Sequence, residues 1–90
     1  MTLHNQTNDT FKFLAGLHRF HDPPQTINPD EKVELRYNPG TPTTGNFVTS
    51  EGQIVVEVGN TSQGNKLWGE GAYQLQLQGW GVDNYEIVRR

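Results

Sequence analysis

The amino-acid sequence predicts a mainly β domain, a small antiparallel barrel or roll of five to six strands, and three observations carry that expectation. Apolar and polar residues alternate with period two in short runs, most clearly over residues 32–37 and 73–78. Clusters of glycine, proline, asparagine and threonine separate these runs at short intervals. Between them no segment has the length and regularity of the crossover helix that a parallel βαβ arrangement needs.

Composition sets the scale. Ninety residues fit one domain, near the size at which burial of apolar surface only just outweighs chain entropy, so partner contacts would add stability. Only 32% of residues are hydrophobic, but nine aromatics supply large buried areas at few positions, which predicts a thin core anchored by rings. A net charge of −3 and 19% charged residues provide little self-repulsion, and with alternating apolar strings present the chain reads as folded rather than disordered.

The element pass begins with residues 1–10, whose Asn5, Thr7, Asn8, Asp9 and Thr10 predict a flexible N-terminal arm, leaving 11–90 as the β domain. Phe11, Phe13, Ala15 and Leu17 alternate as in a strand, while Phe13, Leu17 and Phe20 also share a helical face. Thr10 suits a helix cap, but Gly16 would cost such a helix about 1 kcal/mol relative to alanine. A strand or short irregular element is expected there, with one short N-terminal helix as the alternative. Pro23, Pro24 and Pro29 make residues 21–30 an extended connector. Val33, Leu35 and Tyr37 then alternate with Lys32, Glu34 and Arg36, the signature of a half-buried strand.

Residues 38–45 read as a turn-rich loop around Pro39-Gly40. Residues 46–50 and 53–58 read as a hairpin about Glu51-Gly52, with Ile54, Val56 and Val58 on one face and Val55 suggesting partial cover on the other. The polar, glycine-rich residues 59–65 form a hairpin connection or a binding loop. Tyr73 to Gln78 alternates throughout, and residues 84–88 provide a closing strand. Five to six short strands of this kind suit an SH3-like or OB-like architecture.

The candidate interaction or ligand-binding residues are Gln74, Gln76, Gln78, Trp80 and Trp68. The three glutamines project from one side of a strand, alternation puts Trp80 beside them, and Tyr73, Leu75 and Leu77 take the core-facing side. Glutamine offers donors and an acceptor without charge, so the row can pair with another strand, a sugar or an amide-bearing ligand; a merely solvated face is the plain structural reading. Trp68 and Trp80, each beside glycine, are either stacking platforms or core residues.

Motifs for chemistry are sparse. His18-Arg19-Phe20-His21-Asp22 holds two imidazoles and a carboxylate, but on a strand residues three apart face opposite sides, so no metal site and no cofactor are expected. Ser50 and Ser62 sit in no nucleophile elbow, and Gly59 to Gly64 lacks the Lys-Ser/Thr of a phosphate loop. Enzymatic activity is therefore the minority expectation.

Gly45-Asn46-Phe47-Val48 and Gly52-Gln53-Ile54-Val55 resemble short strings in the plasmid-borne type II dihydrofolate reductases, SH3-like barrels that assemble as tetramers around a glutamine-lined pore. The resemblance implies a small barrel. The family's active-site string Val-Gln-Ile-Tyr is missing, its nearest counterpart being Tyr85-Glu86-Ile87-Val88, so the activity is not implied.

The leading expectation is a noncatalytic interaction module that self-associates as a homo-oligomer or docks on a protein partner through the glutamine and tryptophan strand. The alternatives are a binder of a carbohydrate or planar heterocycle, and an enzyme whose site forms only on oligomerisation. The acidic balance argues against nucleic-acid binding, which depends on cationic side chains. Residues 1–6 lack a cationic region and residues 13–17 are too few for a signal or a span, so no membrane association is expected. The absence of cysteine is compatible with the cytoplasm. Small size and lack of motifs suit a phage or mobile-element accessory protein.

Overall fold

The hairpin of β5 (Thr43–Thr49) and β6 (Gly52–Val58) turns sequence alternation into alternating burial. Phe47, Ile54, Val56 and Val58 enter the core, while Val48, Gln53, Val55 and Glu57 face away from it. Strand β5 starts at Thr43, inside the stretch expected to be loop, because the Thr43 hydroxyl is satisfied by the Thr41 carbonyl at 3.0 Å and its side chain is buried.

The computed structural model describes residues 1–15, 20–59, 64–79 and 83–90. They form two sheets. One has the order β3 (Thr26–Ile27), β2 (Phe11–Ala15), β5, β6, β7 (Lys66–Gly71); the other has the order β4 (Lys32–Glu34), β1 (Thr2–Asn5), β9 (Asn84–Arg89), β8 (Tyr73–Leu77). Every pairing is antiparallel except β1 with β9. The fold is mainly β, with no helix among the described residues, and β2 is a strand through Ala15. Two sheets stand where a single closed ladder would make a barrel.

Two expectations about the elements change. The polar stretch read as an arm contains β1, which lies between β4 and β9 with Leu3 and Asn5 buried. Its polar side chains are used internally. Asn5 Nδ2 donates to the carbonyls of Asp9, Ile27 and Asn28, and Asn5 Oδ1 accepts from the backbone N–H and the hydroxyl of Thr7. The strand number also exceeds six, because the proline-rich connector contributes the two-residue β3 against β2 and residues 66–71 form a full strand despite two glycines.

The core lies between the sheets, with Phe11, Phe47 and Ile54 from one and Leu3, Tyr73 and Ile87 from the other. Phe11 meets Tyr73 edge-on, ring centroids 4.7 Å apart, across the interface of the two sheets. Chain passes between sheets at Gly71-Ala72, and a Cβ on Gly69 would collide with the Tyr73 carbonyl, so β8 crosses β7 with backbones in close approach. Arg90 ties this corner by donating to the carbonyls of Gly69 and Tyr73 at 2.9 and 2.8 Å.

Candidate functional site

The glutamine strand is β8, at the edge of the four-stranded sheet. Among the described residues its one partner is β9, in the register Gln74↔Val88, Leu75↔Ile87, Gln76↔Glu86 and Leu77↔Tyr85. Backbone bonds from Arg90 N to Ala72 O and from Gln78 N to Asn84 O fix the phase of the ladder. Even-numbered residues exchange bonds with β9, so the N–H and C=O of Leu75 and Leu77 point to the open side.

Gln74 and Gln76 are exposed and Gln78 is half-buried. Gln76 Nε2 donates to Glu86 Oε2 at 3.1 Å. The row continues across the sheet through His4 to Lys32, making this a polar face four strands wide. His4 is buried within it, its Nε2 lying 3.0 Å from Asp30 Oδ1 and its Nδ1 3.1 Å from Gln6 Nε2. The pairing of Gln76 with Glu86, and the contribution of His4, arise from register between distant strands and have no signal within β8 itself.

The opposite side of β8 is less uniform than alternation implies. Tyr73 is buried and Leu75 half-buried, but Leu77 is 61% exposed, so the strand leaves the core as it runs from the Ala72 corner. Burial therefore corrects the expectation that all three face the core. Burial also raises the hydroxyl pKa of Tyr85, the cross-strand neighbour of Leu77, with Asp83 and Tyr37 adding to it.

Trp68 is on the other sheet, in β7, away from the glutamine row. It is 36% exposed, and its indole Nε1 donates to Glu70 Oε1 at 3.2 Å. Gln53 Nε2 donates to the other oxygen of Glu70 at 2.6 Å, and these two donors, Gln53 first, lower the Glu70 pKa. Trp80 lies outside the described residues, as do His18 of the His-x-x-His string and positions 60–63 of the glycine-rich loop. His21 is exposed and bonds Asn38 Oδ1 at 3.0 Å.

Trp68 instead belongs to a cross-strand row with Leu14, Asn46 and Val55, on the outward face of β2, β5, β6 and β7. Leu14 is 48% exposed. The one sequence signal for this row was Val55, an apolar residue on the wrong side of its strand.

Two clefts of about 180 and 230 Å³ open elsewhere. The first is lined by residues including Thr43, Glu57 and Lys66, the second by residues including Asn5, Thr7 and Asp30. Both are smaller than the roughly 300–1,000 Å³ typical of small-molecule sites, and neither includes a glutamine of β8 or Trp68. Among the described residues no helix is long and apolar enough to cross a membrane, and no group of three or more His, Asp or Glu side chains is gathered to hold a metal ion. Comparison with protein-family models, with curated proteins and with solved structures finds no match.

Proposed function

We propose that this chain is a noncatalytic interaction module that docks on a protein partner, a second copy of itself included, by accepting an extended segment along β8. Gln74, Gln76 and Gln78 flank the added strand and hydrogen-bond its side chains. Strand addition draws affinity from main-chain bonds and specificity from alternate side chains.

The observation that carries this reading is a contrast among the edges. Exposed edges pair indiscriminately unless they are short, charged or interrupted by proline. Here β4 carries Lys32 and Glu34, β7 carries Lys66 and Glu70, and β3 has two residues between Pro24 and Pro29. Strand β8 has five residues, no charge and no proline, with Leu77 largely exposed at its open side. We also read the two sheets as a small roll turned at the Ala72 corner, working in the cytoplasm as an accessory protein of phage or mobile-element type.

Light scattering over a range of concentrations, together with capture of a partner, tests the assignment on Gln76→Lys and Leu77→Pro. The first puts a charge on the edge, and the second removes an N–H that β9 does not use. Capture through β8, and any self-association through that edge, is expected to fall at least tenfold in both. A partner captured equally well by both variants overturns the reading.

A further inference from the structure

The outward face of the five-stranded sheet is complementary to itself. Its central row runs Leu14, Asn46, Val55, Trp68 across β2, β5, β6 and β7, and the next row runs Lys12, Val48, Gln53, Glu70. Leu14 and Trp68 are the exposed ends of the first row, with Val55 and Val48 half-buried between the flanks. Thr26 on the two-residue β3 extends the second row beyond Lys12, and within the four strands named the row carries a cation at one side and an anion at the other. Both are exposed, and Lys12 has no ion-pair or hydrogen-bond partner among the described residues, while Glu70 is held only by the neutral donors Gln53 and Trp68.

We infer that this face is a homodimer interface, packed sheet to sheet on a second copy about a two-fold axis that runs along the strands between β5 and β6. Such an axis exchanges β2 with β7 and β5 with β6, and leaves the two-residue β3 overhanging the partner's edge. Leu14 then meets the partner subunit's Trp68, Val55 meets the partner's Asn46, and Lys12 meets the partner's Glu70, each contact occurring twice. An isologous contact requires one patch to be its own complement, and opposite charges at opposite ends of a row meet that condition. A third row adds Glu57 facing the partner's Thr44, so no like charges meet among the described residues. Aligned packing of two sheets about 10 Å apart leaves lysine and glutamate within reach of each other at the rim and sets the indole, the one aromatic anchor of the row, against the partner's Leu14.

A second copy suits the surface better than an unrelated partner because the charge order matches the face's own mirror arrangement. The association also covers apolar area that a 90-residue core leaves outside. It is independent of β8, which lies on the other sheet.

The test is a charge exchange on the full chain. Lys12→Glu or Glu70→Lys alone sets like charges against each other twice per dimer and is expected to raise the dimer dissociation constant about tenfold or more in sedimentation. Equimolar mixing of the two single variants restores attraction at both contacts and is expected to recover the dimer, as is the double variant. Leu14→Lys, distant from the bonds that Glu70 makes, checks the apolar contact should Glu70→Lys fail to fold, and is expected to dissociate the dimer also. Gln76→Lys leaves this dimer unchanged. A chain that is monomeric at millimolar concentration, a dimer indifferent to Lys12→Glu and Leu14→Lys, or a face covered by a different protein overturns the inference.

Discussion

The Tyr73 hydroxyl donates to Asp9 Oδ2 across 2.8 Å although 64 residues separate the two in sequence. The same hydroxyl accepts from Thr49 Oγ1 at 2.8 Å, and Arg89 both bonds Asp9 and lies 5.6 Å from the centre of the Tyr73 ring. Arg89 also reaches Glu51 Oε2 at 2.7 Å. One phenol therefore joins the turn after β1, the β5–β6 hairpin and the last strand.

Replacing that phenol tests the joint. Tyr73→Phe keeps the ring against Phe11 and removes only the hydroxyl, so urea denaturation should show a loss of about 1–2 kcal/mol with an unchanged m-value. An unchanged midpoint would mean that water replaces both bonds at no cost.

The same cluster sets an acid response. The Tyr73 hydroxyl holds the Asp9 carboxyl below the ordinary aspartate value against the opposing effect of burial, and the Arg89 guanidinium adds to the lowering. A carboxyl lowered in the folded state adds stability that is present above its unfolded pKa of about 4 and is lost as pH falls through the folded value. Stability measured downward from about pH 5 should therefore decline, and Asp9→Asn should flatten part of that decline.

Gly69 bears a close backbone crossing in the corner. Its φ is not positive, so only space restricts it. Gly69→Ala is expected to cost about 2–3 kcal/mol through the collision with the Tyr73 carbonyl. Gly64→Ala, where a Cβ meets nothing within 4 Å, should cost about 1 kcal/mol from its positive φ alone. Equal thermal shifts for the two would remove the crossing as the cause.

Asn5 has five hydrogen bonds to account for and no exposure. Asn5→Ala leaves three carbonyls and the Thr7 donors short of partners, an expected loss of about 3 kcal/mol, whereas the exposed Asn8→Ala should change stability by less than about 0.5 kcal/mol. Parallel thermal melts decide the comparison.

Period-two alternation made the strands legible wherever one face is buried and the other wet, as in Gln53 to Val58 and Tyr73 to Leu77; over Lys32 to Tyr37 it marked the alternating burial, although the strand itself ends at Glu34. It failed at β1, because Asn5 and Thr7 look solvated in sequence, yet Asn5 donates to carbonyls more than twenty residues away and Thr7 bonds the Asn5 side chain. The glutamine row of β8 was visible locally. The setting of that row was not: its place at a sheet edge, the Glu86 acceptor and the separation from Trp68 all follow from strand order, which alternation does not encode. The row from Leu14 to Trp68 left one trace, Val55, because its members come from four strands and align only through register.

The parallel pairing of β1 with β9 has a consequence for synthesis. Residues 11–71 supply the whole five-stranded sheet, so its ladders can close while translation continues. Strand β1 leaves the ribosome first, yet its parallel neighbour begins at Asn84. Through that interval β1 has β4 alone to pair with, and β8 lacks the one strand that it pairs with among the described residues. Vectorial production thus divides the molecule into a half that matures early and a half that must wait, with the waiting strands the ones most in need of a chaperone.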